Sequence, residues 1–176
     1  MRTYRRVWSA GGTYFFTLVL AERRGNDLLV RHVDALREAL RLTKRDWPFT
    51  IEGICILPDH LHCIWTLPDG DADFATRWSL VKQRFSRAVP VGESVSTSRR
   101  RKGERGVWQR RYWEHLVRDE NDYRRHMDYI HYNPVKHGYV QRVPEWPYSS
   151  FTRLVQAGVY PVDWGAEPER PGVVGE

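Results

Sequence analysis

The chain has 176 residues, of which 41% are hydrophobic and 13% aromatic, and its formal net charge is +6. This composition excludes an intrinsically disordered chain, because it provides enough apolar surface to build a core of one domain. The basic balance favours an anionic partner, and the clustering of the arginines indicates a nucleic acid. The sequence shows no apolar run of membrane-spanning length and no signal-peptide core after Met1, so we expect a cytoplasmic protein.

The predicted elements follow one another in a regular order along the chain. Alternating or continuous β-branched and aromatic runs predict strands at 13–20, 49–57, 60–67 and 107–117. Helical periodicity predicts helices at 29–45, 71–88 and 119–133, the last ending before Pro134. The succession βαββαβ with an appended helix predicts an α+β fold of the ferredoxin-like type, an antiparallel sheet with helices on one face.

The chain is predicted to form one domain over residues 1–165, followed by a disordered tail at 166–176. Within the domain, residues 90–106 are of low complexity, with several serines followed by a run of arginine and lysine. Because this segment carries few apolar residues, we predict a mobile basic loop of the kind that follows a phosphate backbone.

His60 and His62 are the first candidate site residues. On a strand, residues two apart share a face, so both imidazoles would point to one side while Leu61 and Cys63 point into an apolar layer. Two imidazoles at that spacing can share one cation. The spacing alone is weak evidence, and a merely polar strand face is the alternative.

Tyr129 and Asn133 are the second pair of candidates. They lie four residues apart on the predicted helix, so the phenol and the amide share a face, away from the apolar stripe of Tyr123, Met127 and Ile130. A phenol beside an amide oxygen, facing two histidines, outlines a metal-assisted phosphoryl-transfer site. The alternatives are a packing tyrosine and an asparagine that only caps the helix.

Four parts of the sequence together resemble a known family. They are His60-Leu61-His62, the Tyr129 and Asn133 pair, the string Asn133-Pro134-Val135-Lys136-His137-Gly138, and the string Trp146-Pro147-Tyr148-Ser149-Ser150. The set resembles the single-tyrosine HUH transposases, and specifically the bacterial REP-associated tyrosine transposases. The resemblance extends over nearly the whole chain.

The resemblance implies a metal-dependent enzyme of DNA transposition and recombination. Tyr129 would attack a scissile phosphate, giving a 5′-phosphotyrosine intermediate that allows the strands to be rejoined. His60, His62 and Asn133 would bind the divalent metal, Mg²⁺ or Mn²⁺. The substrate would be single-stranded DNA carrying a repetitive extragenic palindromic (REP) hairpin. The implied protein is bacterial, associated with the nucleoid and monomeric, with a dimer left open.

Basic and aromatic residues interleave in several parts of the chain, as single-strand binders require. The candidate stacking residues include Trp8, Trp108, Tyr112 and Trp113. The basic residues predicted to contact DNA are Arg5, Arg6, Lys82, Arg84, Arg99, Arg100, Arg101, Lys102, Arg110 and Arg111. The alternative function is a non-catalytic nucleic-acid-binding module on the same fold, which would expose aromatics on its central strands. A relative domesticated for other DNA processing would share the chemistry of the transposase.

Overall fold

The computed structural model describes residues 7–92 and 96–165. Its strands are β1 (Thr13–Val19), β2 (Thr50–Ile56), β3 (His60–Thr66) and β4 (Trp113–Leu116). Its helices are α1 (Leu28–Arg31), α2 (Val33–Asp46), α3 (Phe74–Ala88), α4 (Thr97–Arg101), α5 (Glu120–Lys136) and α6 (Phe151–Gln156), with a 3₁₀ turn at Val143–Glu145. The predicted tail at 166–176 lies outside the described residues.

The four strands form one antiparallel sheet in the order β2-β3-β1-β4. Helices α2 and α3 cover one face, where Phe16, Trp65 and Trp78 form a core. Helix α5 covers the other face, where Ile64 and Ile130 belong to a second core. The ferredoxin-like prediction is confirmed. The candidate site residues lie on the α5 face of the sheet, and the larger core lies on the opposite face.

The fourth strand is much shorter than predicted. Only Trp113–Leu116 pairs continuously with β1, and the preceding residues meet the sheet through a single bridge between Leu20 and Trp108. Residues 107–112 instead carry two aromatic side chains into the core, Trp108 and Tyr112. The two aromatic residues suggested a strand in the sequence because they pack into the core, and not because the segment pairs along the sheet.

Helix α5 continues through Pro134 to Lys136, so the predicted end before the proline is wrong. A proline inside a helix removes one backbone hydrogen bond, but here it falls in the last turn, where the loss is confined to one donor. The real end is a Schellman motif, in which Tyr139 N donates to Pro134 O at 3.0 Å and Gly138 N donates to Val135 O at 3.0 Å. Gly138 takes the positive φ of 72° that this motif requires.

The segment predicted as a mobile basic loop contains the short helix α4. Two arginines of the 90–106 segment donate to backbone carbonyl groups outside it. Arg99 donates to Trp108 O at 3.0 Å, and Arg105 donates to Val89 O at 2.9 Å. The mobility of residues 90–106 stays a prediction. Within the described ranges, no helix is long and apolar enough to cross a membrane.

Candidate active site

His60 and His62 share the face of β3 that is turned to α5. Their ring centroids are 5.0 Å apart, and both residues are buried. The intervening Leu61 belongs to the core on the opposite face, as the alternation predicts. The strand therefore presents two adjacent imidazoles inside the α5 side of the molecule.

Each of these imidazoles is held through its Nδ1 atom. His60 Nδ1 lies 2.6 Å from Asp59 Oδ1, and His62 Nδ1 lies 2.8 Å from Thr17 Oγ1 on β1. Arg23 donates from Nε to the other oxygen of Asp59 at 2.6 Å. Within the described part of the chain, the Nε2 atom of His62 is buried without a hydrogen-bond partner.

Helix α5 brings Tyr129 and Asn133 to these histidines. The Tyr129 ring meets the His62 ring edge-on, with centroids 5.1 Å apart. Asn133 follows one helical turn later and is fully buried, and neither its Oδ1 nor its Nδ2 has a hydrogen-bond partner among the described residues. Tyr129 is also buried, so the side of α5 opposite its apolar stripe contacts protein as well.

Sequence reasoning missed two residues at this site, Lys136 and His137. Lys136 Nζ lies 4.9 Å from the centroid of the Tyr129 ring, and the His137 ring lies 5.2 Å from the His60 ring. His137 follows Asn133 by four positions, so Tyr129, Asn133 and His137 fall on one line of the helix surface. That spacing was the available signal.

The electrostatic environment keeps His62 neutral. Burial lowers the pKa of His62 well below its usual value, and the nearby charges of His60, His137 and Lys136 lower it further. A neutral imidazole is the form that binds a metal ion. The surrounding positive charge also favours an anion such as a DNA phosphate.

A second group of metal-binding side chains lies between β4 and α5. Donor atoms of His115, Asp122 and His126 all lie within 4.8 Å of one another, so this group could hold a divalent metal ion. Asp122 and His126 are four residues apart on α5, which was the sequence signal that went unused.

The same group is already a hydrogen-bonded network. Asp122 Oδ2 lies 2.8 Å from His115 Nε2 and accepts from Arg118 N at 3.0 Å. Burial would raise the pKa of Asp122, but these bonds outweigh it and lower the pKa to about 2. The His115 and His126 rings stack 4.7 Å apart at an angle of 21°. Because a metal ion lies close to the plane of the imidazole that binds it, the two rings would have to rearrange to share an ion.

Four of the basic residues predicted to contact DNA line one groove between α3 and the segment around α4. They are Lys82, Arg99, Lys102 and Arg110. Arg84 lies apart from them, because it donates to Thr43 Oγ1 at 2.9 Å and Asp46 Oδ2 at 2.6 Å on α2. Three more, Arg100, Arg101 and Arg111, are exposed. Arg5 and Arg6 lie outside the described residues.

Two of the candidate stacking residues are available at the surface. Trp8 is 51% exposed and Trp113 is 38% exposed, whereas Trp108 and Tyr112 pack into the core. The large aromatics of the central strands, including Phe16 and Trp65, are buried. The sheet therefore lacks the exposed aromatic surface expected of a binding module that stacks bases on its central strands.

No family model matches the chain, but individual known proteins do. A REP-associated tyrosine transposase of Escherichia coli K12 is 46% identical over 167 residues, which cover 95% of this chain and 93% of the relative. A Haemophilus influenzae protein that carries the same name provisionally is 46% identical over 170 residues, 96% of each chain.

A solved structure extends the similarity to the fold. It shows the REP-associated tyrosine transposase bound to a REP hairpin, with 44% identity and a TM-score of 0.82 over 99% of this chain and 98% of that one. Identity at this level over nearly the full length of both chains is sufficient to assign the family. The chain belongs to the REP-associated tyrosine transposases, which are enzymes that cleave and join DNA.

Proposed function

We propose that this enzyme cuts and rejoins single-stranded DNA beside a REP-type hairpin through a covalent bond between Tyr129 and the 5′-phosphate. The observation that carries the proposal is the contact between Tyr129 and His62, with ring centroids 5.1 Å apart. It joins a potential nucleophile on α5 to a pair of potential metal ligands on β3.

A divalent metal ion, Mg²⁺ or Mn²⁺, fits the donor atoms around Tyr129. Buried polar atoms almost always have a partner, yet His62 Nε2 and both amide atoms of Asn133 have none within the described residues. His60, His62 and Asn133 would supply two nitrogens and one oxygen, which leaves coordination positions for phosphate oxygens and water. When bound, the ion would polarise the phosphate and neutralise its developing charge.

The neighbourhood of Tyr129 favours this assignment over the His115, Asp122 and His126 group. Asp122 already accepts hydrogen bonds from His115 and Arg118. The charge of its carboxylate is therefore balanced without a bound cation. His62 instead contacts the ring of Tyr129, and His60 contacts the ring of His137 on the same line of the helix surface. We therefore assign the catalytic ion to His60, His62 and Asn133.

The chain's own residues would carry out the transfer. The Tyr129 hydroxyl releases its proton to solvent as its oxygen attacks the scissile phosphorus, a new O–P bond forms, and the bond from phosphorus to the 3′-oxygen of the preceding nucleotide breaks. The leaving 3′-oxygen takes up a proton from solvent, so the proton count is unchanged, and the DNA downstream of the cut remains on the protein. Attack by a 3′-OH on the phosphotyrosine reverses these steps, so joining needs no nucleotide cofactor. Lys136, over the tyrosine ring, would stabilise the negative charge of the phosphate.

The proposed specificity for a REP hairpin rests on the similarity to a related protein. The related solved structure is bound to a REP hairpin, and this chain covers 98% of that protein at 44% identity. The groove lined by Lys82, Arg99, Lys102 and Arg110 would bind further phosphates of the DNA, away from the tyrosine. The family resemblance predicts a monomer, with a dimer as the alternative.

The test is to trap the covalent intermediate. Single-stranded DNA carrying a REP hairpin, labelled at its 3′ end, is incubated with the protein and Mn²⁺ and run on a denaturing protein gel. A 5′-phosphotyrosine retains the downstream fragment, so the label should migrate with the protein. Tyr129→Phe should abolish this band, because the ring stays while the nucleophilic oxygen is lost.

The matched control is Tyr132→Phe, which removes a hydroxyl from the same helix three residues away. It should leave the labelled band in place, and a chelator should remove the band from the wild-type protein. A wild-type protein that shifts the DNA in a native gel but never retains label would instead be a non-catalytic binding module.

A further inference from the structure

We infer that Thr17 and Asp59 are positioning residues, which orient His62 and His60 so that both imidazoles present Nε2 to a divalent cation. The inference rests on the proposed function, since it concerns the same metal site. It assigns a role to two side chains that are not themselves ligands. The strand register carries it, because Thr17 of β1 is the direct cross-strand partner of His62 of β3.

The case for Thr17 comes from the hydrogen atom of a neutral imidazole. His62 is fully buried, its Nδ1 lies 2.8 Å from Thr17 Oγ1, and its Nε2 has no partner within the described residues. If the hydrogen were on Nε2, a buried N–H group would lack an acceptor. With the hydrogen on Nδ1, Thr17 Oγ1 accepts it and Nε2 carries the lone pair that a metal ion needs.

The case for Asp59 rests on a carboxylate that can only accept. Asp59 Oδ1 lies 2.6 Å from His60 Nδ1, so Nδ1 must carry the hydrogen that it donates. Arg23 Nε donates to the other oxygen at 2.6 Å, which fixes the plane of the carboxylate. A carboxylate that holds the far nitrogen of a metal-binding histidine is a recurring arrangement, because it sets both the tautomer and the ring orientation.

Together the two contacts hold both histidines in the tautomer with the hydrogen on Nδ1, and the two partners lie in different elements. Asp59 acts from the turn that precedes β3, and Thr17 acts from the neighbouring strand β1. Their rings then meet at an interplanar angle of 83° with centroids 5.0 Å apart. Without these contacts, each ring could rotate or exchange its tautomer, and the two lone pairs would not be directed to one ion.

The first measurement is Mn²⁺ affinity in the absence of DNA, by calorimetry and by the loss of the free-ion signal in electron paramagnetic resonance. Thr17→Val, which keeps the branched shape and loses the hydroxyl, should weaken binding about 10-fold, and Asp59→Ala about 10-fold to 100-fold. Thr17→Ser should restore most of the affinity, because it keeps an oxygen acceptor.

The matched control is Thr13→Val on the same strand and the same face. Thr13 Oγ1 lies 2.9 Å from Thr66 Oγ1 instead of a histidine, so its loss should leave Mn²⁺ affinity unchanged. A general weakening of the sheet would affect both threonine variants alike. A selective effect of Thr17→Val therefore reports on the contact with His62.

The second measurement is the tautomer of each histidine in the metal-free protein, from ¹⁵N chemical shifts and long-range ¹⁵N–¹H correlations. The wild-type protein should carry Nδ1–H on both His60 and His62, and Thr17→Val should move part of the His62 hydrogen to Nε2. Wild-type spectra with the hydrogen on Nε2, or variants with unchanged affinity and tautomers, would overturn the inference.

The two measurements also separate this inference from the proposed function. If the wild-type protein has the Nδ1–H tautomers but His60→Ala and His62→Ala do not alter Mn²⁺ binding, the assigned catalytic ion is wrong. The orienting role of Thr17 and Asp59 would then stand without its cation. If the histidine variants abolish binding and Thr17→Val does not change it, the metal site stands and the positioning role fails.

Discussion

His131 is a buried histidine on α5 whose ring nitrogens both contact protein atoms. It is fully buried, its Nδ1 lies 2.8 Å from Met127 O, and its Nε2 lies 2.9 Å from Ser150 Oγ. Both ring nitrogens are therefore occupied by protein partners, in contrast to His62. The contact ties α5 to the segment that leads into α6. Burial lowers the pKa of His131 to about 4.

This depressed pKa predicts a pH-dependent stability. Between pH 6.5 and about 4 the unfolded chain binds a proton at His131 and the folded protein does not, so the free energy of unfolding decreases as the pH falls through this range. His131 alone should contribute roughly 2 kcal/mol to the loss between pH 7 and pH 4.5, and the lowered pKa of His62 adds to it. Urea unfolding at the two pH values measures it, and His131→Gln should reduce the pH dependence.

The control is His32→Gln, at a histidine between α1 and α2 and outside the elements that His131 joins. This variant should keep the wild-type difference between the two pH values. An equal loss of stability in wild-type and His131→Gln proteins would show that other groups cause the pH dependence.

At the scale of elements, Gly53 determines how closely α5 approaches the sheet. A Cβ atom at this position would lie 2.6 Å from Met127 Sδ and 3.0 Å from Met127 Cε. Because Met127 is buried, its thioether cannot move into solvent to relieve the overlap. Gly53→Ala should therefore lower the free energy of unfolding by about 1–3 kcal/mol, as overpacking of a core does. Chemical denaturation measures this change.

A double-mutant cycle tests the cause of this effect. If the overlap with Met127 is responsible, Gly53→Ala should cost much less in a Met127→Ala background. Gly92→Ala is the control, since a Cβ atom there would have no neighbour within 4 Å among the residues that the structure describes. An equal cost of Gly53→Ala in both backgrounds would assign the effect to the strand backbone instead.

Most elements could be predicted from local periodicity, and the exceptions have tertiary causes. Alternation placed His60 and His62 on one face, and the four-residue spacing placed Tyr129 with Asn133. The end of α5 was wrong because the rule for proline is local, whereas Pro134 occupies the last turn before a Schellman motif. The contact of Thr17 with His62 joins residues 45 positions apart, so no local pattern signals it. The roles of the site residues remain predictions.

At the scale of the whole molecule, several basic side chains line the groove that we propose to bind DNA phosphates. The groove formed by Lys82, Arg99, Lys102 and Arg110 predicts a salt-dependent affinity. Lys102→Ala should weaken hairpin binding and reduce the slope of log affinity against log salt by about 1, because one phosphate contact is lost. Fluorescence anisotropy over a series of salt concentrations measures this slope.

Lys44→Ala provides the matched comparison. Lys44 is exposed on α2 and away from the groove, and its removal changes the net charge by the same amount. It should leave the slope nearly unchanged. Equal effects of the two variants would mean that DNA responds to the overall charge of the protein and not to the groove.

The separation of the site residues along the chain has a consequence for protein synthesis. Tyr129 follows His62 by 67 positions, and the two meet only when α5 packs on the finished sheet. A chain still on the ribosome, or one truncated before α5, would contain the histidine pair without its tyrosine. Under the proposed role of Tyr129, such a chain cannot break a DNA strand. The order of the elements would then delay strand cleavage until translation has passed the last part of the site.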